Sequence, residues 1–277
     1  MTLITSTIPA PAGPHYRPAG VLRSEWTKIR SVRSTTWTLV ATIGITIGIG
    51  VLATSTEASR WTHASLADRL TFDPTSLSLA GLLFGQLAIG ILGVLVISAE
   101  YGTGTIRASL AAIPNRPLFL AAKAAVFTAV ALIVGEIVSF GAFFIGQSIL
   151  GGSAPHAMLG QAGVLRAVAG GGLYLAVLGL FALGLASIIR HTAGAISAFV
   201  GVLLIFPLIT QALPSSIRDV IGKFEPATIG NAMTSVNTHL QGGAIPAFSP
   251  WVGLAVLCGY AAAVLGIGGW LMVRRDA

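Results

Sequence analysis

The run LSLAGLLFGQLAIGILGVLVISAEYGTGTIRASLAAIPNRPLFLAAK occupies residues 77–123. Residues 77–99 carry no charged side chain. An α-helix crossing a hydrocarbon layer of ~30 Å needs ~20 apolar residues, so this stretch is long enough to span a bilayer. Charge returns at Glu100, and a second long apolar run, broken only by Lys123 and Glu136, starts near Leu118. Between the two lies a short polar segment closed by Pro114 and Pro117. Two spans joined by a structured connection set the class of the fold.

The rest of the chain repeats the pattern. Of its 277 residues only 9% are charged, against ~25% in soluble domains, while 54% are hydrophobic and the mean hydropathy is +0.85. So little charge supplies no polar shell for a water-soluble enzyme, and so much apolar side chain excludes disorder. Six stretches satisfy the length criterion, at about 37–53, 77–99, 118–150, 164–189, 193–213 and 251–273. The expected fold is an all-α polytopic membrane protein with six transmembrane helices. The first apolar stretch follows about 35 residues and exceeds the ~7–15 residues of a signal-peptide core, so it reads as a retained helix. The glycine pairs Gly44/Gly48 and Gly81/Gly85 have the spacing that lets membrane helices approach closely. Cys258, the single cysteine, excludes an intrachain disulfide and a thiolate zinc cluster.

Cations set the orientation. Alternate connections on one side hold eleven of the sixteen Lys and Arg residues, including Arg17, Arg23, Lys28, Arg30 and Arg33 before the first span. By the positive-inside rule that side is cytoplasmic, which puts both termini inside. Acids lean to the other side with Glu57, Asp68, Asp73, Asp219 and Glu225. The basic pI thus reflects topology, and no basic run interleaved with aromatics points to nucleic acid.

Residues 1–19, rich in Pro and small side chains, read as a mobile tail, and residues 20–36 as an interfacial amphipathic helix. There Leu22, Trp26, Ile29 and Val32 or Arg33 recur at steps of three and four, with Arg23, Lys28 and Arg30 on other faces. Such a helix lies in the membrane interface with its cations toward anionic headgroups, so Arg23, Trp26, Lys28 and Arg30 are interfacial anchors. Residues 37–277 form the six-span domain. In the second connection, Thr103 or Thr105 can cap a short helix. Ile106, Leu110 and Ile113 give it one apolar stripe, and Pro114 ends it. In the last outer connection, about 214–250, SSIRDVIGKF has amphipathic helical spacing.

One acid, Glu136, falls well inside a span. It reads first as a structural carboxyl toward which Arg166 snorkels, and alternatively as a transport-path residue. Lys123 is expected to snorkel to the interface, and Gln86 and Gln147 to hydrogen-bond between helices. No phosphate-binding loop of the G-x-x-x-x-G-K-[ST] type, no H-E-x-x-H and no G-x-S-x-G occurs. His15, His63, His156, His191 and His239 are scattered, which leaves no metal site and no catalytic set to expect.

Glu100, Gly104, Thr105, Leu110, Pro114, Arg116 and Lys123, in that order after a second span, resemble the permease subunits of ABC-2-type transporters. The segments LRSEWTKIRSVRSTTWTL and FSPWVGLAVLCGYAAAVLGIGGWLMVRRDA are similar to the actinobacterial branch of that family. The resemblance spans about 21–277. It implies a membrane subunit of an ATP-driven exporter of a lipid, drug or peptide, working in the plasma membrane. ATP and Mg would be bound by a separate ATPase subunit, and a second permease copy or a sister permease would complete the pathway. The segment after span 2 would be the coupling helix seated on the ATPase, with Glu100, Gly104, Thr105, Arg107 and Leu110 as coupling residues. An ATPase-independent secondary transporter or channel is the alternative.

Overall fold

The computed structural model describes residues 17–236 and 247–274. Most of the tail expected at 1–19, and part of the connection at 214–250, lie outside the described residues. The elements in order are α1 (Pro18–Ser31), α2 (Arg33–Arg60), α3 (Leu66–Thr71), α4 (Pro74–Ser78), α5 (Leu82–Gly102), α6 (Thr105–Ala112) and α7 (Arg116–Leu150). They continue with α8 (Val164–Ile189), α9 (Thr192–Val200), α10 (Phe206–Gln211), α11 (Ser215–Ile221), α12 (Pro226–Thr234) and α13 (Pro250–Arg274). No strand occurs among the described residues. Six helical segments are long and apolar enough to cross a membrane: α2, α5, α7, α8, α9–α10 and α13. The chain is an all-α, multi-pass membrane protein.

Helix α8 is the axis of the bundle. Helices α5, α7 and α13 pack along it, and α2 closes against α7 and α5. Ile89, Val94, Phe127, Val138, Leu175 and Leu183 are fully or almost fully buried where these helices meet. By contrast α2, α9–α10 and α13 turn much of their surface outward. Connectivity places α1 and α6 at one end of the bundle, and α3, α4 and α12 at the other.

Several boundaries differ from expectation for local reasons. The stretch expected as one span from 77 breaks at Gly81. Asp73 caps the short α4 by accepting the N–H groups of Thr75 and Ser76, at 3.0 Å each. The chain then turns, and α5 starts at Leu82. A β-carbon at Gly81 would fall 1.8 Å from the Thr46 carbonyl oxygen, so this corner abuts the backbone of α2. Gly85 likewise faces the Thr46 side chain, whereas Gly44 and Gly48 have nothing nearby. Of the two glycine pairs, only the second brings helices together.

The fifth span contains a π-helical turn at Gly201–Ile205, just before Pro207. Proline has no N–H for the carbonyl four residues back, and the widened turn takes up that mismatch. The expected helix in SSIRDVIGKF forms as α11 and a 3-10 turn at Gly222–Phe224. Helix α12 follows it, and the sequence reading did not anticipate that element.

Candidate functional site: a charge cluster beneath a short loop helix

The first connection between long spans at the α1 end folds as the sequence pattern suggests. Gly104 adopts φ +73°, a left-handed turn natural to glycine, and so turns the chain from α5 into α6. Ile106 and Leu110 are buried in the core, with Ile113 packed against it. The outer face is built of Thr105, Arg107, Ala108, Ala111 and Ala112, all exposed. Neither threonine caps the helix. Thr103 donates to the Ala99 carbonyl at 2.8 Å, and its hydroxyl lies 2.9 Å from that of Thr105.

Directly under α6 two acids and two bases meet. Lys123, eight residues into α7, reaches Glu25 of α1 at 2.6 Å and Glu100 of α5 at 2.7 Å. Lys28 of α1 reaches Glu25 at 2.7 Å and Glu100 at 3.0 Å. Ser109 of α6 joins both sides: it accepts from Lys28 at 3.2 Å and donates to the second Glu100 oxygen at 3.2 Å. Glu25 is 1% exposed and Lys123 2% exposed, so this is a desolvated node and not a surface ion pair. The Phe119 ring forms a wall, with the two ammonium groups 5.4 and 5.2 Å from its centroid.

The electrostatics explain why the group persists. A single charge at this depth would be strongly unfavourable, but two carboxylates and two ammoniums cancel, and every one is hydrogen-bonded. Burial pulls the Lys28 ammonium down, yet its hydrogen bonds to Glu25 and Glu100 and their charges outweigh that and hold it above the ordinary lysine range. Removing either of the two deeply buried members, Glu25 or Lys123, leaves an uncompensated buried charge, at a cost of about 3–5 kcal/mol. The node therefore fastens α1, α5, α6 and α7 to one another at a single point.

Two arginines extend this ordering to the last span. Arg116 donates to the Met272 carbonyl at 2.6 Å, and Arg190 to that of Leu271 at 3.0 Å. Both cap the C-terminal end of α13, whose last carbonyls have no helical partner.

The candidate residues are thus sorted by the fold. Arg23, Trp26 and Arg30 are exposed on α1, as an interfacial anchor requires. Lys28 is not oriented toward headgroups: Val21, Glu25 and Lys28, at i, i+4 and i+7, form the inward face, and Leu22 and Trp26 point outward. Lys123 does not snorkel; two carboxylates within 2.7 Å give it better partners than a distant interface. Gly104, Thr105 and Arg107 are exposed, Leu110 faces the core, and the Glu100 carboxylate is held inside the chain. Arg166 does not approach Glu136 but donates to the carbonyls of Ala232, Met233 and Ser235, at the end of α12. Glu136 lies against Gly172 of α8, with one buried oxygen lacking a hydrogen-bond partner.

Glu25 is the member of this cluster that the sequence reading does not single out. Its signal was present as the Glu25–Lys28 spacing of three on a helix beside Glu100 and Lys123, four charges at the same end of adjoining helices. Reading it requires knowing which way α1 faces. Comparison of the chain with protein-family models and with curated proteins gives no match.

Proposed function

We propose that this chain is the membrane-spanning subunit of an ATP-binding-cassette exporter, with α6 as the coupling helix that receives motion from a separate ATPase. The observation that carries this reading is the rooting of α6. Its apolar side chains are set in the core, and Ser109 ties it to the charge node shared by α1, α5 and α7. A push on the exposed face of α6 is therefore delivered to several helices together. In this reading the α6 end is cytoplasmic, both termini lie inside, and the chain sits in the plasma membrane. Thr105 and Arg107 would meet the ATPase, and Glu100 would act from behind by holding Ser109 and Lys28. ATP and Mg would stay on the ATPase, and a second permease copy would complete the path.

The test is copurification of the full chain with its cognate ATP-binding-cassette ATPase, followed by ATP-hydrolysis and transport assays on the pair. Thr105→Glu together with Arg107→Glu is expected to abolish association while leaving the chain's own melting temperature unchanged. An intact complex with unchanged ATP-driven transport overturns the assignment. The reading as an ATPase-independent transporter draws on Glu136, whose unpartnered oxygen beside α8 has the character of a protonatable path residue. Transport without ATPase that is lost in Glu136→Gln would favour it.

A further inference from the structure

The opposite end of the molecule holds a cavity of about 930 Å³. Arg60 and His63, both exposed, stand at its mouth, with Glu57 one helical turn before Arg60 on α2. The walls are Leu77, Ala80 and Leu83 from the α4–α5 corner and Ala227 from α12. The cavity ends on Gln86 and Tyr174, inside the bundle.

Its polar groups fall into two sets, used and unused. Asp68 caps α3 through Ser65, and Asp73 accepts the N–H groups of Thr75, Ser76 and Val236. Arg69, beside the mouth, is turned onto Trp61: it donates to that carbonyl, and its guanidinium stacks over the ring at 5.6 Å. Glu57 and Arg60, in contrast, make neither a hydrogen bond nor an ion pair with the described residues. At the deep end the Tyr174 hydroxyl donates to the Gln86 carbonyl oxygen at 2.6 Å. The Gln86 amide nitrogen has no acceptor among the described residues, although the residue is only 4% exposed. The nitrogen itself is not sealed off, so it stands as a donor open to an acceptor arriving in the cavity.

We propose that this cavity binds an apolar, peptide-like amphiphile of several hundred daltons. Its ammonium group lies at the mouth beside Glu57, its apolar body lies along Leu77, Ala80 and Leu83, and an amide carbonyl accepts from Gln86. The volume falls within the ~300–1,000 Å³ usual for ligand sites, and the apolar wall with a few convergent polar groups is their usual construction. The mouth has three carboxylates to one guanidinium among its lining side chains, which favours an ammonium over a phosphate headgroup. Access fits an amphiphile as well. Leu66 and Leu70 of α3, 73% and 66% exposed, place an outward apolar face next to the opening, where molecules partition from a bilayer surface.

The experiment is calorimetric titration of the full chain, in lipid nanodiscs without any ATPase, with leucyl-leucyl-leucine amide. One saturable site per chain is expected. N-acetylation of the peptide and the Glu57→Gln change should each weaken binding at least tenfold, and Gln86→Leu at least fivefold. Glu57 lies on the last turn of α2 and its side chain holds no partner among the described residues, so Glu57→Gln should keep the wild-type melting temperature, and its result stands even where Gln86→Leu fails to fold. Absence of saturable binding overturns the proposal, as does binding indifferent to both N-acetylation and Glu57→Gln. Binding of lauroyl lysophosphatidylethanolamine in place of the peptide overturns it too, in favour of a lipid. A failed titration leaves the reading of α6 untouched, since the assay contains no ATPase.

Discussion

The two ends of the bundle use a similar stock of charge in opposite ways. At the α6 end, Glu25, Lys28, Glu100 and Lys123 satisfy one another, with Ser109 threaded between them. At the α12 end, Asp68, Asp73 and Arg166 bond mainly to backbone groups, while the side chains of Glu57 and Arg60 bond to nothing among the described residues. The first arrangement closes on itself and fastens four helices together. The second secures short helices around an open space and leaves charges free for a visitor. Charge that is fully paired builds a joint; charge left over is what the proposed ligand would meet.

The sharpest way to break this contrast is Lys123→Met. It strands Glu25 beside a single ammonium in a desolvated site, and a loss of about 3–5 kcal/mol is expected, read as a lowered melting temperature in detergent. Adding Glu25→Leu removes the stranded charge and leaves Lys28 with Glu100, so the double variant should recover most of that loss. Failure of the double variant to recover would show that the node holds the helices by geometry and not by charge balance.

At the other end the corresponding linchpin is neutral. Gln147, buried in α7, donates to the Pro74 carbonyl and the Ser78 hydroxyl at 2.8 Å each and accepts from the Ala157 N–H at 2.6 Å. Gln147→Leu should cost about 1–3 kcal/mol and loosen α4. Faster hydrogen exchange confined to 73–81, with the α6 end unaffected, is the expected readout; spreading to α6 would show that the two ends are not separate units.

The smallest effect concerns pH. The folded protein holds Lys28 above the ordinary lysine range, so its contribution is fully present below about pH 10.4 and is lost as the pH rises through the raised value. The melting temperature should thus fall above that point, and fall less in Lys28→Met. Equal alkaline loss in both proteins would remove Lys28 from the node's energetics.

Much of this fold was legible because hydropathy acts over long windows and needs no knowledge of neighbours. The span expected at 164–189 coincides with α8, and the stripe of Ile106 and Leu110 faces inward as its spacing requires. Gln86 and Gln147 bond between helices because a polar amide in an apolar bundle must find a partner somewhere. What could not be read was which partner each charge finds. Arg166 is expected near Glu136 because it lies near the outer end of the next helix and Glu136 in the outer half of its own, but the free carbonyls at the end of α12 are better acceptors and come from an element with little sequence signal. Lys28 and Lys123 were assigned to water or headgroups because single-sequence reasoning treats a charge near a helix end as solvated. Their carboxylate partners are supplied from 98 and 72 residues away in sequence, as for Lys123 with Glu25 and Lys28 with Glu100.

The π turn of the fifth span bears on how far a displacement can travel. Residues 201–205 form a ring one residue wider than the helix on either side, and Pro207 withholds a rung from the ladder just beyond. Only 17% of the most apolar window of this span is buried, the least of the six. The backbone ladder of this span is thus at its weakest over 201–207, where a bend would break fewer hydrogen bonds than anywhere else along it.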